Sequence, residues 1–464
     1  MKKTLFFAIL FALGFSTYAQ PKEIKAFTVN EAVSYALQNN NAVKNAKLGV
    51  DQAKWRNLEI YTTGLPQIAA NFDYTYYFKT PISPALGKAF SSGALAEVFQ
   101  ELASTNQNIR DILSRPSAPV SFVLPHNINT GLSVNQLLFD GRYIFGIKAA
   151  KDLMLTARLT SQMSDFETKY AVMKAYYQAL GAMEAKGLLE ENLKIIDKLA
   201  SDTRATYNAG LIEETDADRL ELAKANLESQ IALQNQLSEV AVSNLKFQMG
   251  MSLSEEIILK DNLTELKAQL QPDFSTQFDP KKRIEYNLLE EGIKLKGFDM
   301  RQKRVQYYPS LYGFLNYGWQ SQAQNGSDVL KRDSWYDQGF TGISLKVPIF
   351  DSGLKLAQVR QAKIEQQKTM NDFENFKNAS ELQYRAAQSS FASALTDEAN
   401  MKRAQALSKK IFDRTSIKYK EGVGNSFELQ QSQQDLATNN LKFIQSSLNL
   451  LNTKADLDKA LGKQ

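Results

Sequence analysis

From Leu354 to Lys420 the chain holds neither proline nor glycine. Apolar residues recur there at steps of three and four, as at Ala379, Leu382 and Ala386 and again at Ala404, Leu407 and Ile411. That period is helical. Without a breaker it predicts one helix of roughly 65 to 70 residues, on the order of 100 Å long at ~1.5 Å per residue. Helices of that length are uncommon in compact globular domains. The preceding stretch, Phe340 to Phe350, has period two instead: Ile343, Leu345, Val347 and Ile349 share one face, Ser344 and Lys346 the other. That alternation predicts a strand with one apolar face. Gly422, after Tyr419-Lys420-Glu421, is the expected helix terminator.

The same construction occurs once before. Leu137-Leu138-Phe139-Asp140-Gly141 parallels Pro348-Ile349-Phe350-Asp351-Ser352-Gly353, and Tyr207-Asn208-Ala209-Gly210 parallels Tyr419-Lys420-Glu421-Gly422. Gly250 and Gly462 close both halves at the same offset. An internal repeat of this size sets the architecture before any local detail does. The first long helix is expected from about Tyr143 to Tyr207, with Phe166, Tyr170, Met173, Tyr177 and Leu180 at coiled-coil steps. Gly181 and Gly187 are weak points in it.

Lys2 and Lys3, an apolar run from Leu5 to Phe15 and Thr17-Tyr18-Ala19 form an export signal with cleavage expected after Ala19. The run is shorter than the ~20 residues a spanning helix needs. No other apolar run is long enough, so a bilayer crossing by this chain falls to strands. The chain has no cysteine, and an exported protein without disulfides must be held by packing and assembly. Its net charge of +5 gives no reason to expect nucleic acid. One isolated histidine, His126, no phosphate-binding glycine loop and no metal-ligand cluster speak against an enzyme, a cofactor or a metal site.

In order, Thr28-Val29-Asn30-Glu31 reads as a capping box opening a helix to about Tyr61. Leu65-Pro66 ends it, and a strand from Gln67 to Phe78 alternates Ile68, Phe72, Tyr74 and Tyr76 against Asn71 and Asp73. A long connection, 79–128, carries one helical pattern from Ala94 to Leu113, expected over the outer mouth of the barrel described below; His126 reads as a surface residue in this connection. The return strand is expected from Asn129 to Phe139. Beyond Gly210, the tip Leu211 to Asp216 turns into a helix to Met249, and 251–280 reads as a small mixed segment. A helix from Lys281 ends at Tyr308-Pro309. The strand Ser310 to Trp319 sets Leu311, Leu315, Tyr317 and Trp319 against Tyr312, Phe314 and Asn316. The last helix runs from Ser426 to about Leu461.

Four amphipathic strands of ~10 residues suit tilted membrane crossings. They cannot close a barrel alone, and open edges are not tolerated in lipid. Three copies would supply twelve strands, within the ~8 to 26 of single-chain barrels. The expected fold is therefore mainly α with a membrane β-barrel part: two repeats, each of two strands plus long coiled-coil helices, in a homotrimer. Asn71, Asp73, Asn316 and Lys346 are expected to face the lumen. Tyr76, Tyr77, Trp319, Trp335 and Tyr336 would form the interfacial aromatic girdle. The alternative for the same helices is a structural periplasmic or surface coiled coil with no channel activity.

The repeated strand-to-helix design resembles the TolC-like outer membrane efflux proteins, as do the Leu-Pro and Tyr-Pro strand starts, Val347-Pro348-Ile349-Phe350-Asp351 and the paired Tyr-x-x-Gly tips. The likeness covers nearly all of Gln20 to Gln464. It implies a Gram-negative outer-membrane exit duct for efflux or type I secretion, with a large periplasmic part. Its implied partners are a periplasmic adaptor (membrane fusion) protein and an inner-membrane pump of RND, ABC or MFS type. The implied division is a signal peptide (1–19), a periplasmic helix (20–66) and outer-membrane strands (67–140). Long helices with a tip at 207–216 (141–250), an equatorial segment (251–280) and a second helix (281–309) follow. The second strands (310–352) and long helices with a tip at 419–428 (353–464) complete it. The resemblance implies a gate latch between Asp216 and Tyr419 and a pore-constriction ring at Glu428, above tip turns at Gly210 and Gly422. This chain departs from the family by placing Gly424 where an arginine is usual and Gln431 at the second acidic position.

Overall fold

The computed structural model describes residues 24–80, 94–113, 123–270 and 277–463. The expected signal peptide lies outside them. Two compact units are present, one made of 1–51, 156–290 and 371–464 and the other of 52–155 and 291–370.

The first unit is helical, with a small two-stranded sheet. β1 (Lys25–Phe27) pairs in parallel with β4 (Ile257–Leu259). The polar lead gave no sign of β1, because three residues are too few to show a period. α1 (Val29–Asn39) opens with the capping box read from the sequence: the Glu31 amide donates to Thr28 Oγ1 and the Thr28 amide to the Glu31 carboxylate. The single helix expected from there to Tyr61 is broken at Asn40. Its extended backbone ends α1, its side chain donates to the Gln248 carbonyl at 2.7 Å, and its Oδ1 accepts from the Ala42 amide. α2 (Asn41–Thr62) then resumes.

The long helices are uninterrupted. α5 spans Gly141–Asn208 and α9 spans Leu354–Lys420. They pair with α6 (Glu214–Met249) and α10 (Ser426–Ala460). Phe166, Tyr170, Tyr177 and Leu180 are all buried, as their spacing requires. Gly181 proves to be a packing feature: a Cβ there would come within 2.5 Å of Leu448, so α10 can approach α5 only at a glycine. The central core joins Ala32 and Ala36 of α1 to Val172, Tyr176 and Ala179 of α5, Leu245 and Met249 of α6, and Ile444 and Leu451 of α10. The Tyr176 hydroxyl donates to the Phe27 carbonyl at 2.9 Å and ties β1 to this core. Leu263 and Leu266 of α7 (Leu263–Ala268) close it from the segment after β4.

The second unit holds a four-stranded antiparallel sheet in the order β2 (Gln67–Tyr76), β3 (His126–Phe139), β5 (Ser310–Ala323), β6 (Trp335–Lys346). β3 begins three residues before the expected start, because His126 pairs with both Tyr76 and Ala323. β6 begins earlier too, and stops at Lys346: Pro348 has no N–H to give a ladder. The expected Ala94–Leu113 helix is two, α3 (Ala94–Thr105) and α4 (Gln107–Leu113). Asn106 separates them, its Oδ1 accepting from the Asn108 amide, while Arg110 donates back to the carbonyls of Ala103 and Ser104. α8 (Ile284–Arg304) leads into β5.

Candidate functional site

Cross-strand partners in an antiparallel sheet point to one side. Asn71 is paired through Gly131 and Gly318 to Gln338, and Asp73 through Asn129 and Gln320 to Tyr336. Ser133 is paired to Asn316, and Ser310 to Lys346. The register therefore sets Asn71, Asp73, Asn316 and Lys346 on one face, with Asn129, Ser133 and Gln338 among them. At Gly131 and Gly318, which face each other across β3 and β5, a Cβ on either would meet the facing strand's backbone at 2.6 Å or less. Phe314 and Phe340 also lie on this polar face, their rings 6.2 Å apart.

The other face carries Ile68, Phe72, Leu132, Leu315, Trp319, Ile343 and Leu345, and all are exposed; Ile343 keeps 70% of its surface. It ends at a folded loop, 324–334, whose Val329 packs on Ile128, Ala323 and Trp335. Ser321 Oγ donates to the Val329 carbonyl and is wholly buried. Two members of the expected girdle are thereby displaced: Trp335 lies under this loop, and Tyr336, opposite Gln320, sits on the polar face. His126 belongs to the apolar face, where its Nδ1 lies 2.8 Å from the Tyr74 hydroxyl and its ring 4.8 Å from that of Tyr76. A histidine read as a loop residue is thus part of the strand.

At both strand-to-helix joints an aspartate caps the long helix and holds a cation. Asp140 accepts from the Arg142 amide at 2.7 Å and from its guanidinium at 2.6 Å, and Tyr312 donates to it at 3.5 Å. Asp351 accepts from the amides of Gly353 and Lys355 and pairs with the Lys355 ammonium at 2.9 Å. Both repeats thus carry a side-chain cap, which satisfies amides otherwise orphaned at a helix start.

The two tips lie together in the helical unit. Gly210 and Gly422 each have positive φ, +76° and +72°, with open space where a Cβ would stand. Asp216 and Tyr419, expected to bond each other, instead take partners beside each other. The Tyr419 hydroxyl donates to Thr203 Oγ1 at 3.2 Å, and Asp216 accepts from the Ser426 hydroxyl. Burial raises the Tyr419 phenol's pKa, the Asp216 charge adds to the rise, and Thr203 offsets part of it. Thr203 and Ser426 were missed because a hydroxyl in a helix gives no periodic signal. Asn425 caps α10, its side chain accepting from the Glu428 amide, and leaves the Glu428 carboxylate exposed in the first turn. Gln431 donates to Asp435 at 3.1 Å. At Gly424 a Cβ would stand 3.0 Å from the Tyr419 amide nitrogen, so the turn has little room for the family's arginine.

Residues 297–463 match the outer membrane efflux protein family. The chain's fold matches the outer membrane channel CmeC of Campylobacter jejuni with a TM-score of 0.74 at 15% identity, covering 94% of this chain and 85% of that one. It matches the outer membrane protein VceC of Vibrio cholerae (0.68, 12%, covering 94% and 96%) and the open state of the MtrE channel of Neisseria gonorrhoeae (0.67, 17%, covering 94% and 88%). In sequence it is 22% identical over 261 residues to the proteases secretion protein PrtF of Dickeya chrysanthemi. The chain spans about half the length of that curated relative, 54% of each chain being aligned. The fold is thus that of these solved outer membrane channels.

Proposed function

We propose that three copies of this chain form the exit duct of an efflux or secretion system in a Gram-negative outer membrane, each copy giving four strands to one closed barrel. The sheet carries this reading. Its outer strands, β2 and β6, have no further partner among the described residues, and its exposed faces are apolar on one side and polar on the other. Lipid on the apolar face, water on the polar face and a neighbouring copy at each edge would satisfy all three demands at once. The polar loop 324–334 then marks the outer limit of the lipid-facing band. The long helices add support. Leu382, Leu407 and Ile411, the stripe read from the sequence, stand exposed in the single chain, while Phe391, Ala394 and Phe412 fill the core. A helix apolar on two sides fits between two neighbours.

In this reading the tips face an adaptor protein, and a pump in the inner membrane supplies the substrate. Leu211, Val423 and Phe427 are exposed there, and apolar surface at a helix turn suits a protein partner. Asp216, Tyr419, Thr203 and Ser426 act as the latch that keeps the tips together, and Glu428 is the acidic ring. Native mass measurement in mild detergent tests the assembly: a trimer with single-channel conductance in planar bilayers is expected. A folded monomer inserted in lipid would refute it. A water-soluble trimer without conductance would favour the coiled-coil alternative.

A further inference from the structure

At the end of the polar sheet face, beside the start of the long helices, lies a cavity of about 490 Å³. Asp140, Arg142, Tyr308, Tyr312, Lys346 and Lys355 are among the residues that line it. Its charges do not cancel. The Asp140 carboxylate is taken by Arg142 and Tyr312, and Lys355 is taken by Asp351. Arg142 uses Nε and Nη2 in that pair, which leaves Nη1 outside it. Lys346 is exposed on β6, and among the described residues no carboxylate lies within ion-pair distance of its ammonium. One cation is therefore in excess, in a cavity that Tyr308 and Ser310 also line. In the other repeat the matching residue at the end of β3 is Asn135, so the excess belongs to the second repeat alone.

We propose that this cavity is a binding site for a small oxyanion, held by Lys346 with Arg142 and the Tyr308 hydroxyl at its rim. An ammonium free of a carboxylate and hydroxyl donors in a partly enclosed polar cavity meet the needs of a carboxylate or phosphate oxygen, because charge-assisted hydrogen bonds are the strong ones. Its position on the conduction path rests on the duct reading; the binding itself does not.

Equilibrium dialysis of labelled inorganic phosphate against the full chain in detergent tests the site. Wild type is expected to retain phosphate, and Lys346→Gln to bind it about tenfold or more weakly. Lys346→Arg should keep most of the binding. Lys331→Gln, the same charge change in the 324–334 loop, should keep all of it. Equal binding by wild type and Lys346→Gln, or none by wild type, overturns the proposal, provided the variants keep wild-type circular dichroism and oligomeric state. In planar bilayers, phosphate should reduce the wild-type current more than that of Lys346→Gln; equal reduction would place the site off the conduction path. Absence of any current would refute the duct and leave the dialysis result standing.

Discussion

At the residue scale two hydrogen-bonded pairs lie at the tip, where one bond was expected. Tyr419 and Thr203 form one pair, Asp216 and Ser426 the other. A hydrogen bond to a charged group contributes ~1.5–3 kcal/mol, so the Asp216–Ser426 pair is the stronger. Asp216→Ala should therefore raise single-channel conductance more than Tyr419→Phe, and Ser426→Ala should resemble Asp216→Ala. Wild-type conductance in all three would end the latch. Glu428 admits two roles, a pore ring or a carboxylate placed by the positive start of α10. A trivalent cation added on the tip side decides between them. Block is expected in wild type, since converging carboxylates suit hard cations, and should vanish in Glu428→Gln. Equal block in both leaves only the helix-dipole role.

Among the elements, two glycines that look alike in sequence do different work. Gly210 and Gly250 both have positive φ, but a Cβ at Gly250 would meet the backbone of Asn39 and Asn40 at 2.7 Å, where α6 passes the break between α1 and α2. At Gly210 the space is open. Gly210→Ala should cost only the left-handed penalty of ~1–2 kcal/mol. Gly250→Ala should cost more, by a further ~1–3 kcal/mol for overpacking. Thermal melts of the two variants check the order; equal shifts would mean that the α1–α2 joint yields freely. The core of α5 supplies a pH prediction. Burial pushes the Tyr177 phenol up to about 12, with the charges of Asp261 and Asp458 adding to it, and Tyr170 and Tyr176 are raised for the same first reason. An unfolded phenol ionises near ~10. The unfolded chain thus loses these protons first, and stability falls as pH rises from about 10 toward 12. The fall from Tyr177 alone is on the order of 2 kcal/mol. Tyr177→Phe should flatten that fall and leave stability near neutral pH little changed, as read from urea midpoints at pH 7 and 11. An identical slope in the variant would rule Tyr177 out as a source.

For the whole molecule the deciding fact is that neither the sheet nor the long helices are finished by one chain. Among the described residues four strands leave β2 and β6 as edges, and α9 leaves an apolar stripe exposed. Exposed edges and patches of this kind lead to self-association unless they are covered. Assembly and membrane insertion should therefore be coupled. Leu382→Asp in the uncovered stripe should lower the trimer fraction in detergent and leave the helical signal of the chain largely intact. Trimers at wild-type yield would show that this stripe is not an interface.

The repeat, the long helices, their glycine ends and the two-faced strands were determined by sequence alone. Each is a local period or a local backbone demand, and such signals survive without knowledge of the fold. Cross-strand register then followed the alternation, and Asn71, Asp73, Asn316 and Lys346 share a face because every strand keeps period two. What the tertiary structure decided lies where one residue answers to a distant partner. Asn40 breaks a helix because Gln248 offers it a carbonyl, and His126 joins a strand because Tyr76 and Ala323 flank it. Trp335 turns under a loop, and Tyr419 finds Thr203 on another helix rather than Asp216. β1 exists only because β4 and Tyr176 hold it. Trp335 apart, these contacts join residues from 50 to 232 positions apart in the chain, a separation at which no periodicity in sequence carries information about the partner.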